Sequence, residues 1–373
     1  MWYFLRLGTF GFGGPVALVG FMHRDLVERR GWISEGDYKE GLALSQIAPG
    51  PLAAQLGIYL GYVHYRILGA TVAGIAFVLP SFLMVVGLGW AYVTYGGLAW
   101  MQAAFYGVGA SVIGIMAISA HKLATKNIGK DKLLWAIFAA LAAVTIITQS
   151  EIAWLFIAAG VLVWLVRIKP KLGSTAMSLA PLQLPFLAMT GADGNLLWQV
   201  TLFFAKAGAF VFGSGLAVVP FLYGGIVTDT HWLNDKQFVD AVAVAMITPG
   251  PVVITTGFIG YLIAGLPGAV AAAGAVFLPC YLITVIAAPQ FKKYGKRSAI
   301  LAFVDGITAA AVGAIAGSVV VLATRSITDL PTALLAIVTT TLLWRFKKIP
   351  EPVIVAAAAL LGLMLYPLAH AHP

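Results

Sequence analysis

The chain has 373 residues, 61% of them hydrophobic and only 10% charged, with a mean hydropathy of +0.94 and a formal net charge of +9. A soluble domain needs roughly 25% charged residues, so the composition excludes an ordinary soluble enzyme, and apolar runs of about 20 residues, bilayer-spanning length for a helix, fill nearly the whole sequence. The cations sit in short loops between these runs, which orients a membrane protein rather than pointing to nucleic acid, and the single Cys280 excludes an intramolecular disulfide and a Cys-based metal site.

The first apolar stretch, 2–27, contains Phe10-Gly11-Phe12-Gly13-Gly14-Pro15, whose glycines and proline interrupt it. A charged amphipathic stretch over 23–40 leads to a second apolar segment, 42–65, broken at Ile47-Ala48-Pro49-Gly50-Pro51. Pro-Gly-Pro cannot be continuous helix: each proline removes a backbone N–H, clashes with the preceding turn and pushes the residue before it away from helical angles. In lipid, broken backbone survives only where it is buried in protein or lines a wet cavity. The break therefore predicts a cavity inside a membrane protein. Apolar runs follow at 68–93, 98–120, 133–148 and 152–166, then a polar, proline-containing connector. A second series runs over 197–227, 241–264, 268–289, 299–323, 332–344 and 353–369.

That second series copies the first. Ile247-Thr248-Pro249-Gly250-Pro251 repeats the break at an offset of 200, and Phe4, Gly8, Gly13, Ala17 and Trp32 fall on Phe204, Gly208, Gly213, Ala217 and Trp232. After a one-residue deletion, Pro80, Gly107 and Gly114 fall on Pro279, Gly306 and Gly313. One register held over most of a half-chain marks an internal duplication, with a first repeat over 1–168, a linker over 169–195 and a second repeat over 196–373. No cleavable signal peptide is expected, because the copy of the first stretch lies mid-chain.

Loop charge sets the topology. Basic clusters lie at 23–30, at Arg66, and at 121–132, 167–171, 292–297 and 345–348, whereas the loops near 94–97, 148–151, 228–235 and 265–267 are neutral or acidic. If each Pro-Gly-Pro segment enters and leaves on one side, all the basic clusters share a face. This predicts an all-α polytopic protein with about five crossings and one re-entrant hairpin per repeat, about ten full spans in all. An odd number of crossings inverts the second repeat, and inverted repeats with broken helices are the architecture of secondary transporters.

Two intramembrane cations are candidates for binding an anion. Arg6 and its counterpart Lys206 each precede a glycine-rich break, where a cation costs about 3 kcal/mol unless paired or hydrated; a pair near the pseudo-two-fold axis would make an anion site. For Arg6, snorkelling to the interface is an equal reading. Half-helices starting after Pro15, Pro51 and Pro251 would aim unpaired N–H groups and a positive dipole end at the cavity. Gly13, Gly14, Gly213 and Gly215, with Ser214, would let an oxyanion approach the backbone, although glycines also serve helix packing. Gln46, Gln55, Ser45, Thr248, Thr255 and Thr256 flank the breaks and either contact a substrate or satisfy broken backbone. Asp305 opens a span and is the proton-coupling candidate, with capping or pairing to a cation as alternatives. Solvation at the interface is the expectation for His23, Glu40 and Asp240, and Trp32 and Trp232 read as interfacial anchors. There is no Walker A sequence, no HExxH or GxSxG, and no Cys/His constellation.

The ordered motifs LRLGTFGFGGP (5–15), MHRDLVERRGWIS (22–34), LSQIAPGPLAAQLGIYLGY (44–62), FVLPS (77–81), FGSGLAVVPFL (212–222) and AMITPGPVVITTGFIGY (245–261) resemble the chromate ion transporter (CHR) family in its long, two-domain form. The resemblance covers essentially the whole chain. It implies a multi-pass protein of the bacterial plasma membrane that exports chromate from the cytoplasm, driven by the proton motive force, and so gives chromate resistance. It places functional weight on Gly13, Gly14 and Pro15, on Pro49, Gly50 and Pro51, and on Pro249, Gly250 and Pro251. A membrane enzyme is disfavoured because no catalytic constellation appears, and no cofactor is expected. Sulfate is a tetrahedral dianion of similar size, so an importer or exchanger of sulfate or another oxyanion is the alternative, and an oxyanion channel built on re-entrant hairpins is another. Glycine-rich spans allow a homodimer without requiring one.

Overall fold

A computed structural model describes residues 1–11, 14–95, 99–148, 153–168, 195–210, 212–213, 218–294, 298–346, 349 and 351–369; most of the linker, 169–194, lies outside them. In the first repeat the helices are α1 (Trp2–Phe10), α2 (Gly14–Met22, continued by a π turn over His23–Arg29), α3 (Glu35–Ile47), α4 (Leu52–Tyr95), α5 (Ala99–Ile128), α6 (Lys132–Thr148) and α7 (Ala153–Ile168). The second repeat has α8 (Leu196–Phe210), α9 (Val219–Tyr223, continued by a π turn over Gly224–Asp229), α10 (Asp235–Ile247), α11 (Thr255–Tyr294, entered through a 3₁₀ turn at Val252–Ile254), α12 (Ser298–Ser326), α13 (Leu330–Arg345) and α14 (Glu351–Ala369). Two-residue strands β1 (Gly50–Pro51) and β2 (Phe212–Gly213) complete the described elements. The chain is thus an all-α polytopic membrane protein. Four helical stretches, Leu52–Tyr95, Trp100–Thr125, Val252–Pro289 and Ser298–Thr324, are long and apolar enough to cross a bilayer, and shorter apolar helices stand beside them.

The Pro-Gly-Pro break makes a hairpin. Ser34 caps α3 by accepting the Asp37 N–H, and the chain reverses at the prolines. Gly41 of α3 packs directly on the Tyr59 ring of α4, and the Tyr59 hydroxyl donates to Glu40 at 2.8 Å. The two arms therefore run side by side with the break at their tip. Helix α4 then turns sharply at Tyr65 (φ −135°, ψ 29°) and Arg66 (φ 51°, ψ −138°) before its long second arm. Helix α11 makes the same turn at Ala264 (φ −145°, ψ 30°) and Gly265 (φ 62°, ψ −152°). Across each turn the arms touch backbone to backbone, Gly61 on Gly69 and Gly260 on Gly268.

The first apolar stretch differs from expectation. Its length predicts a crossing, but Phe4 and Met22 both lie against Gly57, and the Arg30 guanidinium stands 5.5 Å from the centre of the Tyr3 ring. So α1 and α2 also double back, with their tip at the glycine break. Phe203 of α8 likewise meets Phe221, Gly225 and Trp232. Each repeat thus opens with two re-entrant hairpins, and the first does not contribute the crossing that the count of ten spans included. Its length fits a crossing equally well; the glycines let it turn.

The remaining helices form a bundle in which the repeats exchange their last two helices. Helices α6 and α7 pack on α12, with Gly313 against Phe138, Gly317 against Ala142 and Thr145, and Gly306 against Ala159. Helices α13 and α14 pack on α5, with Gly114 against Ala336 and Thr339 and Gly107 against Ala358 and Gly362. Residue numbers rise together along α6 and α12, while α5 reverses into α6 through the turn at Gly129–Asp131. Helices α5 and α12, equivalent in the duplication, are therefore antiparallel. The inversion rests on this pairing rather than on the number of crossings. It brings the turns at 31–34, 65–66 and 129–131 and the ends of α7, α11 and α13 to one end of the molecule, where Arg29, Arg30, Arg66, Lys130 and Lys132 are exposed. By the positive-inside rule this basic end faces the cytoplasm. Between the ends, Leu83, Leu278, Ile286, Ile337, Leu360 and Met364 are exposed and form the apolar surface a bilayer covers.

Candidate functional site

The tips of the four hairpins meet, and they meet crosswise. Gly50 and Pro51, at the tip of the first repeat's second hairpin, pair in parallel with Phe212 and Gly213, at the break between α8 and α9. In the mirrored contact the Gly250 N–H donates to the Gly11 carbonyl at 3.0 Å, joining the tip of the second repeat's hairpin to the break between α1 and α2. Each repeat's Pro-Gly-Pro is thus held by the other repeat's glycine break.

Both central glycines are required by geometry. Gly50 has φ +144° and Gly250 has φ +99°, values an L side chain rarely adopts. A methyl group on Gly250 would overlap Ser81 Oγ, and one on Gly50 would lie 2.9 Å from Cys280 Sγ and 2.6 Å from Gln55 Nε2. Ser81 and Cys280 follow the equivalent prolines Pro80 and Pro279, so each repeat supplies the residue against the other repeat's tip. Ser81 Oγ also donates to the Gly8 carbonyl at 3.2 Å.

The polar residues near the breaks mostly serve the backbone. Ser45, Thr248, Thr255 and Thr256 hydroxyls donate to carbonyls of their own turns, those of Gly41, Val244, Val252 and Val253. Gln55 is fully buried; its Nε2 donates to the Pro49 carbonyl at 2.7 Å, but its Oε1 has no partner among the described residues. Gln46 is exposed at the end of α3, while Pro51, Thr248, Pro249 and Pro251 are buried and Pro49 is half-buried. Helix α4 begins at Leu52, directly after Pro51, so the free N–H groups of its first turn lie at the crossing. Gly14 and Pro15 open α2. Gly13, Ser214 and Gly215 lie outside the described residues.

The charged candidates lie in different surroundings. Arg6 is exposed on α1 and Lys206 is half-buried on α8. Asp305 stands away from the tips, near the basic end: Arg167 at the end of α7 donates to it at 2.5 Å and to Asp131 at 2.7 Å. Asp131 also caps α6 through the N–H groups of Leu133 and Leu134. The guanidinium beside it holds the Asp131 carboxyl below the usual carboxylate range. His23 pairs with Glu28 and Glu35 at the same end. Asp240 departs from the interfacial solvation expected of it: it is 3% exposed and accepts a hydrogen bond from Tyr92 at 2.8 Å. No local pattern signals this, because Tyr92 lies 148 positions away.

The family model for chromate transporters matches residues 1–164 and 198–363, one stretch for each repeat. The chain belongs to the chromate transporter family. The transporter is 71% identical over 372 residues to the chromate transport protein of Cupriavidus metallidurans, covering 99% of this chain and 93% of that one. It is 61% identical to the probable chromate transport protein of Synechococcus elongatus, covering 98% and 94%. To the chromate transport protein of Pseudomonas aeruginosa it is 32% identical, covering 98% and 91%. No solved structure matches it.

Proposed function

We propose that this transporter exports chromate from the bacterial cytoplasm across the inner membrane, driven by the proton motive force, and thereby gives chromate resistance. The observation that carries the reading is the crossing of the four broken tips. Inverted repeats with breaks at a shared centre are the arrangement by which transporters expose one site alternately to either face. Relatives covering nearly the whole chain are named for chromate. In this reading the first-turn N–H groups of α2 and α4, and those of the 3₁₀ turn that enters α11, meet the oxyanion, together with the breaks at Gly13–Gly14 and Gly213–Gly215. Gln46 and Thr248 flank the site, and Arg6 and Lys206 neutralise the dianion. Rocking of one repeat against the other about the crossed tips alternates the access.

The test is chromate accumulation in energised inside-out vesicles, with and without excess sulfate, before and after a protonophore. Accumulation that collapses with the protonophore supports proton-driven export, and competition by sulfate measures how loosely the site reads a tetrahedral dianion. Chromate that merely equilibrates would favour a channel, and movement of sulfate alone would overturn the choice of substrate.

A further inference from the structure

Asp240 is a buried carboxyl group with no counter-ion among the described residues. It projects from α10, almost two turns past the capping residue Asn234, and lies at the base of a cavity of about 400 Å³ lined also by Tyr92, Gln102, Phe105, Lys236 and Gln237. Its partner is the Tyr92 hydroxyl. Among the described residues no cation lies within ion-pair distance of it, although Lys236 lines the same cavity one turn nearer the mouth. Other titratable groups on the elements around α10 have contacts of their own. Tyr106 of α5 donates to Asp329, Tyr366 of α14 donates to Gln102 at 3.3 Å, Tyr261 of α11 packs on Gly89, and Tyr223 donates to Asp235. A buried carboxylate with one hydroxyl donor and no cation is costly; a bound proton removes that cost and leaves the Tyr92 contact in place.

The position matters as much as the burial. The first residues of α10 lie at the end opposite the basic one, so the cavity opens toward the outer face, where the proton motive force makes protons most available. The equivalent acid of the first repeat, Glu40, lies near the cytoplasmic end, is half-buried and is held by Tyr59.

We propose that Asp240 is the proton-binding group through which this transporter couples to the proton gradient, loading from the outer face by way of the Asn234–Lys236–Gln237 mouth, with Tyr92 positioning the carboxyl. The proposal rests on proton-driven export, and it moves one proton from outer water to the Asp240 carboxylate and from there to the inner side as the repeats rock. In reconstituted vesicles Asp240→Asn is expected to lose proton-driven chromate accumulation and chromate-coupled proton movement, while chromate counterflow, which needs no net proton transfer, continues. Asp240→Glu should restore driven transport with a shifted pH profile, and the infrared band of a buried protonated carboxyl should titrate in the wild type and vanish in Asp240→Asn. Driven accumulation unchanged in Asp240→Asn, or no titrating band in the wild type, overturns the proposal alone. So does joint loss of counterflow and accumulation in Asp240→Asn with no rescue by Asp240→Glu. A wild type whose accumulation ignores a protonophore overturns the export reading first and the proposal with it.

Discussion

At the cytoplasmic end, Arg167 of α7 joins the capping Asp131 and the Asp305 of α12 in a charged triad. At the opposite end the counterparts are Tyr366 of α14, the capping Asp329 and Tyr106 of α5, joined by a Tyr106 hydroxyl bond to Asp329 and an edge-on ring contact with Tyr366. The hairpins differ in the same manner: Glu40 is half-buried and Asp240 buried, Gln55 stands where Thr255 does, and Ser81 where Cys280 does. At the turn that follows each hairpin the two backbones barely differ, as the paired angles show. Duplication fixed a two-fold scaffold, and side-chain divergence gave its two faces different electrostatics, as a vectorial process requires.

The comparison breaks most severely at the crossed tips. Gly250→Ala should destabilise the protein by about 2–4 kcal/mol and abolish transport, since it adds both strain and overlap. Adding Ser81→Gly should return part of the stability, because it clears the overlap but leaves the unfavourable φ. Thermal unfolding in detergent with a fluorescent reporter reads both. A variant as stable as the wild type would show that the tips are looser than the contacts indicate.

The two triads give a second, smaller contrast. Arg167→Gln should cost about 1 kcal/mol, as expected for a partly exposed pair. Because Arg167 depresses the Asp131 pKa, that contribution is present above the ordinary carboxylate value and is lost as pH falls through the depressed one. The wild type should therefore lose stability on acidification over this range, and Arg167→Gln should lose less. Parallel acid limbs in the two unfolding profiles would count against the triad. At the other end Tyr106→Phe removes one hydroxyl bond and should cost about 1–2 kcal/mol in the same assay.

The smallest effect sharpens the scaffold comparison. Arg66 and Gly265 occupy the same turn at φ 51° and φ 62°, and a methyl group on Gly265 would meet nothing within 4 Å. Gly265→Ala should therefore cost about 1 kcal/mol through backbone conformation alone, and Arg66→Gly should relieve a similar strain. Opposite signs in thermal unfolding are the expected outcome.

The breaks and the duplication were legible in the sequence because proline and glycine punctuate the chain whatever surrounds them, and a single register led from Pro49 to Pro249 and from Pro80 to Pro279. The division of loops between two faces followed from their charge. The doubling back of α1 and α2 was not legible, since an apolar stretch of that length serves as one crossing or as two half-crossings. Nor was the exchange of α6–α7 and α13–α14: helices that are apolar all round carry no stripe to say which neighbour they face. At the site, Thr248 and Thr255 were identifiable as flanking residues, but only packing showed that they serve the backbone and that Asp240 is buried.

That exchange bears on how the protein is made. Helices α6 and α7 leave the ribosome long before α12, the helix they pack on, has been translated, and α5 waits longer still for α13 and α14. The seams at Gly107, Gly114, Gly306 and Gly313 are close enough that a side chain there would strike the neighbour, so each is fitted to one partner helix. Until synthesis ends, the first half of the chain therefore stands in the membrane without the helices its seams are fitted to.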